Sequence, residues 1–168
     1  MVLHEGSFRI AAATKQDVAL VLSLIQELAD YEGLSDAVSA TEISIERALF
    51  SEDPEAEVRI AWLADEVVGF ALFFRSFSTF LGKAGLYLED LYVRKSYRGR
   101  GYGRRLLARL ASIAVSRGYG RFEWSVLDWN QLAISSYRRA GAVPMNEWTV
   151  YRLAGDSLHL LAAEDGQQ

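Results

Sequence analysis

The chain has 168 residues, half of them apolar and about a quarter charged, with a net charge of -4 at neutral pH. That length supports one domain with a buried core, residues 1–168, and the acidic balance argues against general nucleic-acid binding. Cysteine is absent and the two histidines, His4 and His159, lie near the termini, which excludes disulfides, thiolate nucleophiles and Cys-ligated zinc and makes a Ser-His-Asp triad or a multi-His metal site improbable. The beginning of the chain lacks the apolar run of a secretory signal. The most apolar stretch, Val67 to Phe74, is too short to span a bilayer. No membrane association and a cytoplasmic location are the resulting expectations.

Phe8 to Ala12 reads as a first strand. Thr14-Lys-Gln-Asp17 is a helix-start signal with Thr14 as cap, and Val18, Val21, Leu22, Ile25, Leu28 and Ala29 recur at helical spacing until Gly33. Ser39-Ala-Thr-Glu42 reads as a capping box opening a short helix to about Phe50. Val58 to Ala64 and Val67 to Ser76 are β-rich runs flanking Asp65-Glu66, a hairpin pattern, and Leu86 to Val93 is the next strand. A helix follows, with Leu106, Leu107, Leu110, Ile113 and Ala114 on one face and Arg105, Arg109, Ser112 and Ser116 on the other, stopped by Gly118. Arg121 to Val126 reads as a strand, Gln131 to Ala140 as a helix closed by Gly141, and Trp148 to Leu153 and Leu158 to Leu161 as final short strands. The order β-α-α-β-β-β-α-β-α-β-β predicts an α/β (α+β) domain with a mixed sheet and helices on both faces.

The densest chemistry lies where Leu86-Tyr-Leu-Glu-Asp-Leu-Tyr-Val93 runs into Arg98-Gly-Arg-Gly-Tyr-Gly103 and then into a helix. Unpaired amides at a helix start, together with the dipole, attract anions, and glycines let the backbone approach a ligand closely. Two carboxylates, Glu89 and Asp90, lie on the strand feeding this turn. Successive strand residues point to opposite faces, so one of the two is expected to line the cleft. A P-loop would need G-x-x-x-x-G-K-[ST], and no such string occurs. A dinucleotide fingerprint would need a sixth-position glycine, but Arg104 or Leu106 stands there.

The string fits [RQ]-x-x-G-x-[GA], filled by Arg98, Gly101 and Gly103, and Leu127-Asp-Trp-Asn-Gln131 with Ser136-Tyr-Arg-Arg-Ala-Gly-Ala142 supplies a second motif. Together they resemble the GCN5-related N-acetyltransferases (GNAT). Tyr31-Glu-Gly-Leu-Ser-Asp36, Gly82-Lys83 and Tyr87-Leu-Glu-Asp90 look like the spermidine/spermine acetyltransferase branch. Ser78-Thr-Phe80 and Val126-Leu-Asp-Trp-Asn-Gln131 look closer to its thialysine acetyltransferase relatives. The likeness runs from about Phe8 to Leu161.

The resemblance implies a GNAT fold: a mostly antiparallel sheet of about six to seven strands, splayed near Glu89 to Val93. It implies transfer of an acetyl group from acetyl-CoA to a small-molecule amine by direct attack. The cofactor would meet Leu91, Tyr92 and Val93 on the strand, Arg98, Gly99, Arg100, Gly101, Tyr102, Gly103 and Arg104 in the loop, and Asn130 and Tyr137 from the second motif. Tyr31, Glu32, Phe80, Glu89, Asp90 and Trp148 would line the acceptor site. Metal is not required, because a thioester is already activated, and members of the branch are usually homodimers.

A lysine-like amine has a pKa near 10.4, so presenting it deprotonated at pH 7 costs about 4.6 kcal/mol. The site should accept a proton or depress the amine pKa. Glu89 is the candidate acceptor and Tyr137 the candidate donor to the leaving thiolate. Ser78 and Phe80 stand where spermidine enzymes carry an Asp and a Trp, which favours a shorter amine over a long polycation. The alternatives are a GNAT enzyme acting on a protein or another amine, and a non-catalytic acyl-CoA-binding domain.

Overall fold

The structure, a computed structural model, describes residues 7–166. His4 therefore lies outside the described residues. The chain forms two compact units that meet in sequence at Gln131 and Leu132.

The first unit is built on a five-stranded sheet in the order β1-β2-β3-β4-β5, with β1 Phe8–Ala12, β2 Glu57–Leu63, β3 Glu66–Ser78, β4 Lys83–Val93 and β5 Phe122–Trp124. The first four strands are antiparallel and β5 runs parallel to β4. Among the described residues, the α-helices that lie wholly in this unit are α1 Val18–Glu32, α2 Glu42–Phe50 and α3 Tyr102–Ser116.

Local chemistry sets the element ends. Asp17 accepts hydrogen bonds from the Thr14 backbone N–H at 2.7 Å and from the Thr14 hydroxyl at 2.8 Å, closing a short 3-10 turn that feeds α1. Gly33 ends α1 in the left-handed region at φ +73°, a conformation glycine adopts without steric penalty. The box opening α2 lies two residues later than the sequence pattern implied: Thr41 caps, and Thr41 and Ser44 exchange bonds of 2.9 and 3.2 Å. Ser44 replaces the expected glutamate because a serine hydroxyl can reach back to the cap amide equally well.

One face of the sheet carries α1 and α2. Val21, Leu24 and Leu28 from α1 and Ile45 and Leu49 from α2 share a core with Ile60, Phe70 and Tyr92. The opposite face holds α3 through Leu106, Leu107 and Leu110, on the side to which Phe73, Leu86 and Leu88 point.

The second unit contains the remainder of α4 (Gln131–Arg139) and α5 (Asp156–Ala162). Here the sequence expectation of six to seven strands fails: five strands are present among the described residues. Trp148 to Leu153 has no regular secondary structure, and Leu158 to Leu161 lies inside α5. A strand exists only where a neighbour pairs with it, and a four-residue apolar run cannot by itself distinguish strand from helix. Gly141, at φ +92°, follows α4 as anticipated.

Candidate active site

The site begins with an irregularity in β4. Phe73 pairs with Leu88, but the next residue along β3, Leu72, pairs with Asp90. Glu89 is the extra residue of a β-bulge. Leu86 and Leu88 face α3, whereas Asp90 and Tyr92 face α1, although all four would share one face in an unbroken strand. The bulge therefore overrides the simple alternation by which the two acids were expected to part. Glu89 is exposed at the bulge, and Asp90 is half-buried under the end of α1.

Burial dominates the electrostatics of Asp90. It loses hydration, and the neighbouring carboxylates Glu89 and Glu32 add repulsion, so its pKa rises from 3.8 to about 6. Glu32, the last residue of α1, is also pushed up by burial. Glu32 and Glu89, from two elements, thus act electrostatically on Asp90, which is poised to exchange a proton near neutral pH.

Beyond the bulge the sheet opens. The β4–β5 ladder runs only from Leu86–Phe122 to Leu88–Trp124, while β4 continues to Val93. Arg94 gives its backbone N–H to Val68 on the β3 side at 2.9 Å, so alternation turns the backbone groups of Leu91 and Val93 the other way, into the opening. This is the splay expected from the sequence. β3 stays close to β4 here because residue 69 is glycine: an added Cβ would lie 2.1 Å from the Tyr92 carbonyl oxygen.

The glycine loop follows. Gly99 and Gly101 have φ of +77° and +81°, and Gly101 is the N-cap of α3. The first helical bond is donated by Arg105 to the Gly101 carbonyl at 3.0 Å, so the amides of the preceding turn point out of the helix start. A Cβ on Gly99 or Gly101 would meet no atom within 4 Å, leaving the outer side of the loop open. A diphosphate fits that arrangement of amides, dipole and open space. The Tyr102 ring stacks on Phe8 at 4.8 Å and meets Tyr97 edge-on at 6.4 Å, which leaves its backbone N–H as the group at the helix start. Arg100 lies 6.0 Å from the Tyr97 ring, and Arg104 is exposed in the first turn of α3.

The end of β4 is clamped to α1. Arg94 donates to both carboxylate oxygens of Glu27, at 2.7 Å from Nη2 and 3.0 Å from Nε, and to the Val67 carbonyl at 3.2 Å. Glu27 also takes the Tyr92 hydroxyl, whose pKa is raised by burial and then by that carboxylate. A cavity of about 420 Å³ lies beside this clamp, lined by Glu27, Asp30, Tyr31, Tyr92, Lys95 and Arg98. Sequence reading missed Glu27 and Arg94, which are 67 residues apart and carry no local signal.

Of the expected site residues, Tyr31, Glu32, Glu89, Asp90, Tyr92 and Arg98 gather around the opening. Phe80 does not join them in one chain. It is 93% exposed at the tip of the β3–β4 hairpin, and from Lys83 the strand climbs roughly 20 Å before reaching Asp90. Asn130 follows the turn in which its N–H bonds to Leu127 at 2.8 Å. In the second unit, Tyr137 is half-buried on α4, and Trp148 is 70% exposed. Among the described residues no cluster of three or more acidic or histidine side chains could hold a metal ion, and no helix is long and apolar enough to cross a membrane.

Residues 22–142 match the model of the acetyltransferase (GNAT) family. The chain belongs to the GNAT family. It is 34% identical to a thialysine N-epsilon-acetyltransferase of Bos taurus, an alignment covering 92% of this chain and 97% of that one. It is 32% identical to an L-ornithine N5-acetyltransferase of Arabidopsis thaliana, covering 94% and 89%. Among solved structures, an integron cassette protein of V. cholerae superposes with a TM-score of 0.78 at 31% identity, covering 93% of this chain and 98% of that one. The GNAT chain is accordingly an N-acetyltransferase, and its mixed sheet flanked by helices is the family fold.

Proposed function

We propose that this GNAT enzyme moves an acetyl group from acetyl-CoA to the primary amine of a small cationic acceptor. A thialysine- or lysine-like amine or a short diamine is favoured over a long polycation. The observation that carries the reading is the set of three carboxylates, Glu32, Glu89 and Asp90, within electrostatic reach of one another at the β4 bulge, where the strand edge that leads to the glycine loop begins to open. A cationic amine is attracted there, and a carboxylate with a pKa near 6 can take its proton at neutral pH.

The loop amides of residues 99–104 would hold the diphosphate, and the backbone of Leu91 and Val93 the pantetheine arm. Bound there, acetyl-CoA supplies an activated acyl group. The acceptor nitrogen loses its proton to the acid set, with Asp90 the member whose pKa suits the task and Glu89 the exposed relay to solvent. The freed lone pair would then attack the thioester carbonyl, a carbon–nitrogen bond forming as the carbon–sulfur bond breaks. Tyr137 would give its hydroxyl proton to the departing thiolate and recover one from the product nitrogen, which sheds its second proton as the neutral amide forms, and Asn130 would contact the cofactor. Tyr31 and Glu32 at the end of α1 face the acceptor.

The supporting relatives are named for thialysine and L-ornithine, both single amino acids carrying a terminal amine. A homodimer is part of the proposal. Phe80 and Leu81 at the hairpin tip and Trp148, Val150 and Tyr151 in the second unit are exposed apolar side chains suited to a second copy, and Phe80 reaches an acceptor site only if a partner presents it. A reducing cytoplasm suits a chain without cysteine.

The test is acetyl-CoA turnover, read as free thiol release, across thialysine, L-lysine, L-ornithine, putrescine and spermine. Turnover of one or more of the first four is expected. A strong preference for spermine contradicts the acceptor reading, and no turnover with tight CoA binding favours a non-catalytic acyl-CoA sensor.

A further inference from the structure

We propose that Arg98 is a positioning residue, which ties the acceptor end of α1 to the glycine loop by stacking its guanidinium on Tyr31. Arg98 opens the loop motif, where an arginine would be expected to reach the bound anion. The geometry commits its side chain elsewhere. Nε donates to the Val93 carbonyl at 2.8 Å, and the guanidinium carbon lies 4.1 Å from the centre of the Tyr31 ring and 5.6 Å from that of Tyr92.

Tyr31 in turn meets Trp129 edge-on at 6.0 Å and stands next to Glu32. One side chain therefore touches the last residue of β4 and the last turn of α1. These are the two places from which the cofactor and the acceptor are approached.

The loop motif admits glutamine at this position, and that separates two jobs. A glutamine amide can still donate to the Val93 carbonyl and anchor the loop. It carries no charge and cannot make the cation–π contact with Tyr31. Anchoring belongs to both residue types, whereas organising the acceptor side belongs to arginine alone. The assignment rests on the acetyltransferase reading above.

The experiment compares Arg98→Gln, Arg98→Lys, Tyr31→Leu, Tyr31→Phe and the Arg98→Gln/Tyr31→Leu and Arg98→Gln/Tyr31→Phe pairs. Acceptor KM is measured with the best amine of the panel, CoA affinity by calorimetry, and folding by circular dichroism. Arg98→Gln should raise acceptor KM about 2- to 30-fold, the range of a cation–π contact, while CoA affinity stays within about twofold of the parent. In a Tyr31→Phe background, which keeps the ring, Arg98→Gln should cost the same factor as in the parent, and Arg98→Lys, which keeps a cation, should recover most of the loss. In the double variant Arg98→Gln should add nothing to Tyr31→Leu.

A tenfold or greater loss of CoA affinity in Arg98→Gln with acceptor KM unchanged would overturn the proposal, since the side chain would then be a phosphate contact. Additive effects in the Arg98→Gln/Tyr31→Leu variant would overturn it as well. An Arg98→Lys variant no better than Arg98→Gln would also count against it. A parent protein that turns over no amine removes the acetyltransferase reading and this inference together; an active parent with an additive cycle removes the inference alone.

Discussion

Asp90→Asn tests the electrostatics of the bulge. Asp90 is held under the end of α1 with Glu32 and Glu89 close by, and its pKa stands at about 6 against an ordinary 3.8. An acid whose pKa is higher in the folded protein than in the unfolded chain opposes folding wherever the unfolded chain would ionise it. Below about pH 4 the carboxyl is protonated in both states and no penalty exists. The penalty grows as pH rises from about 4 to about 6, and stays constant above. Its plateau is about 3 kcal/mol for a pKa raised from 3.8 to about 6. Asparagine is neutral at every pH and nearly isosteric, so Asp90→Asn should be more stable than the parent at pH 8, by about 1–3 kcal/mol once imperfect amide hydrogen bonding is allowed for. In a chain of this size that appears as a rise of about 3–10 °C in Tm. Thermal unfolding of both proteins between pH 4 and pH 8 measures it. A difference that is absent, or the same at pH 4 and pH 8, would refute the reasoning. The functional half is separable: the parent's kcat/KM should fall below about pH 6, and Asp90→Asn should lose that limb together with most of its activity.

The glycine loop gives a paired prediction. Gly101→Ala forces a left-handed cap at φ +81° on a residue with a Cβ and should cost about 1 kcal/mol of stability, with weaker CoA binding by calorimetry. Gly103→Ala places its Cβ 3.7 Å from Val93 Cγ2, an ordinary contact, and should leave both readouts near the parent's. Gly69→Ala drives a Cβ to 2.1 Å from the Tyr92 carbonyl oxygen and should destabilise by about 2 kcal/mol or more, seen as a lower urea midpoint. Tyr137→Phe should lower kcat by about 100-fold with CoA affinity unchanged, because only the proton donor is removed; loss of CoA binding instead would make Tyr137 a cofactor contact.

What could be read in the chain was what is local. Asp17 answering Thr14, Gly33 ending α1 and the two positive-φ glycines of the loop are each decided within a few residues. The acids at Glu89 and Asp90 were visible, but their facing was not. The bulge exists only in the register between β3 and β4, and a strand read alone implies unbroken alternation. The Glu27–Arg94 clamp joins residues far apart in the chain and leaves no trace in either neighbourhood. The final strands failed for the complementary reason. Trp148 to Leu153 has β-rich composition, but composition does not supply a partner for its amides, and the same side chains are exposed when none is present.

The bulge also explains why two adjacent acids are more useful than one. In a regular strand, Glu89 and Asp90 would lie on opposite faces, one of them against the apolar side chains of α3. With Glu89 as the unpaired residue, neither carboxylate enters that core, and Asp90 comes within electrostatic reach of Glu32 on a different element. A cationic amine arriving among the three carboxylates would offset the repulsion that helps to raise the Asp90 pKa, and the repulsion would return once the product amide is neutral. Acceptor charge therefore controls the basicity of the group proposed to deprotonate it. The free enzyme's acid limb near pH 6 should accordingly move to lower pH in the acceptor complex, which a comparison of the kcat and kcat/KM profiles reads directly.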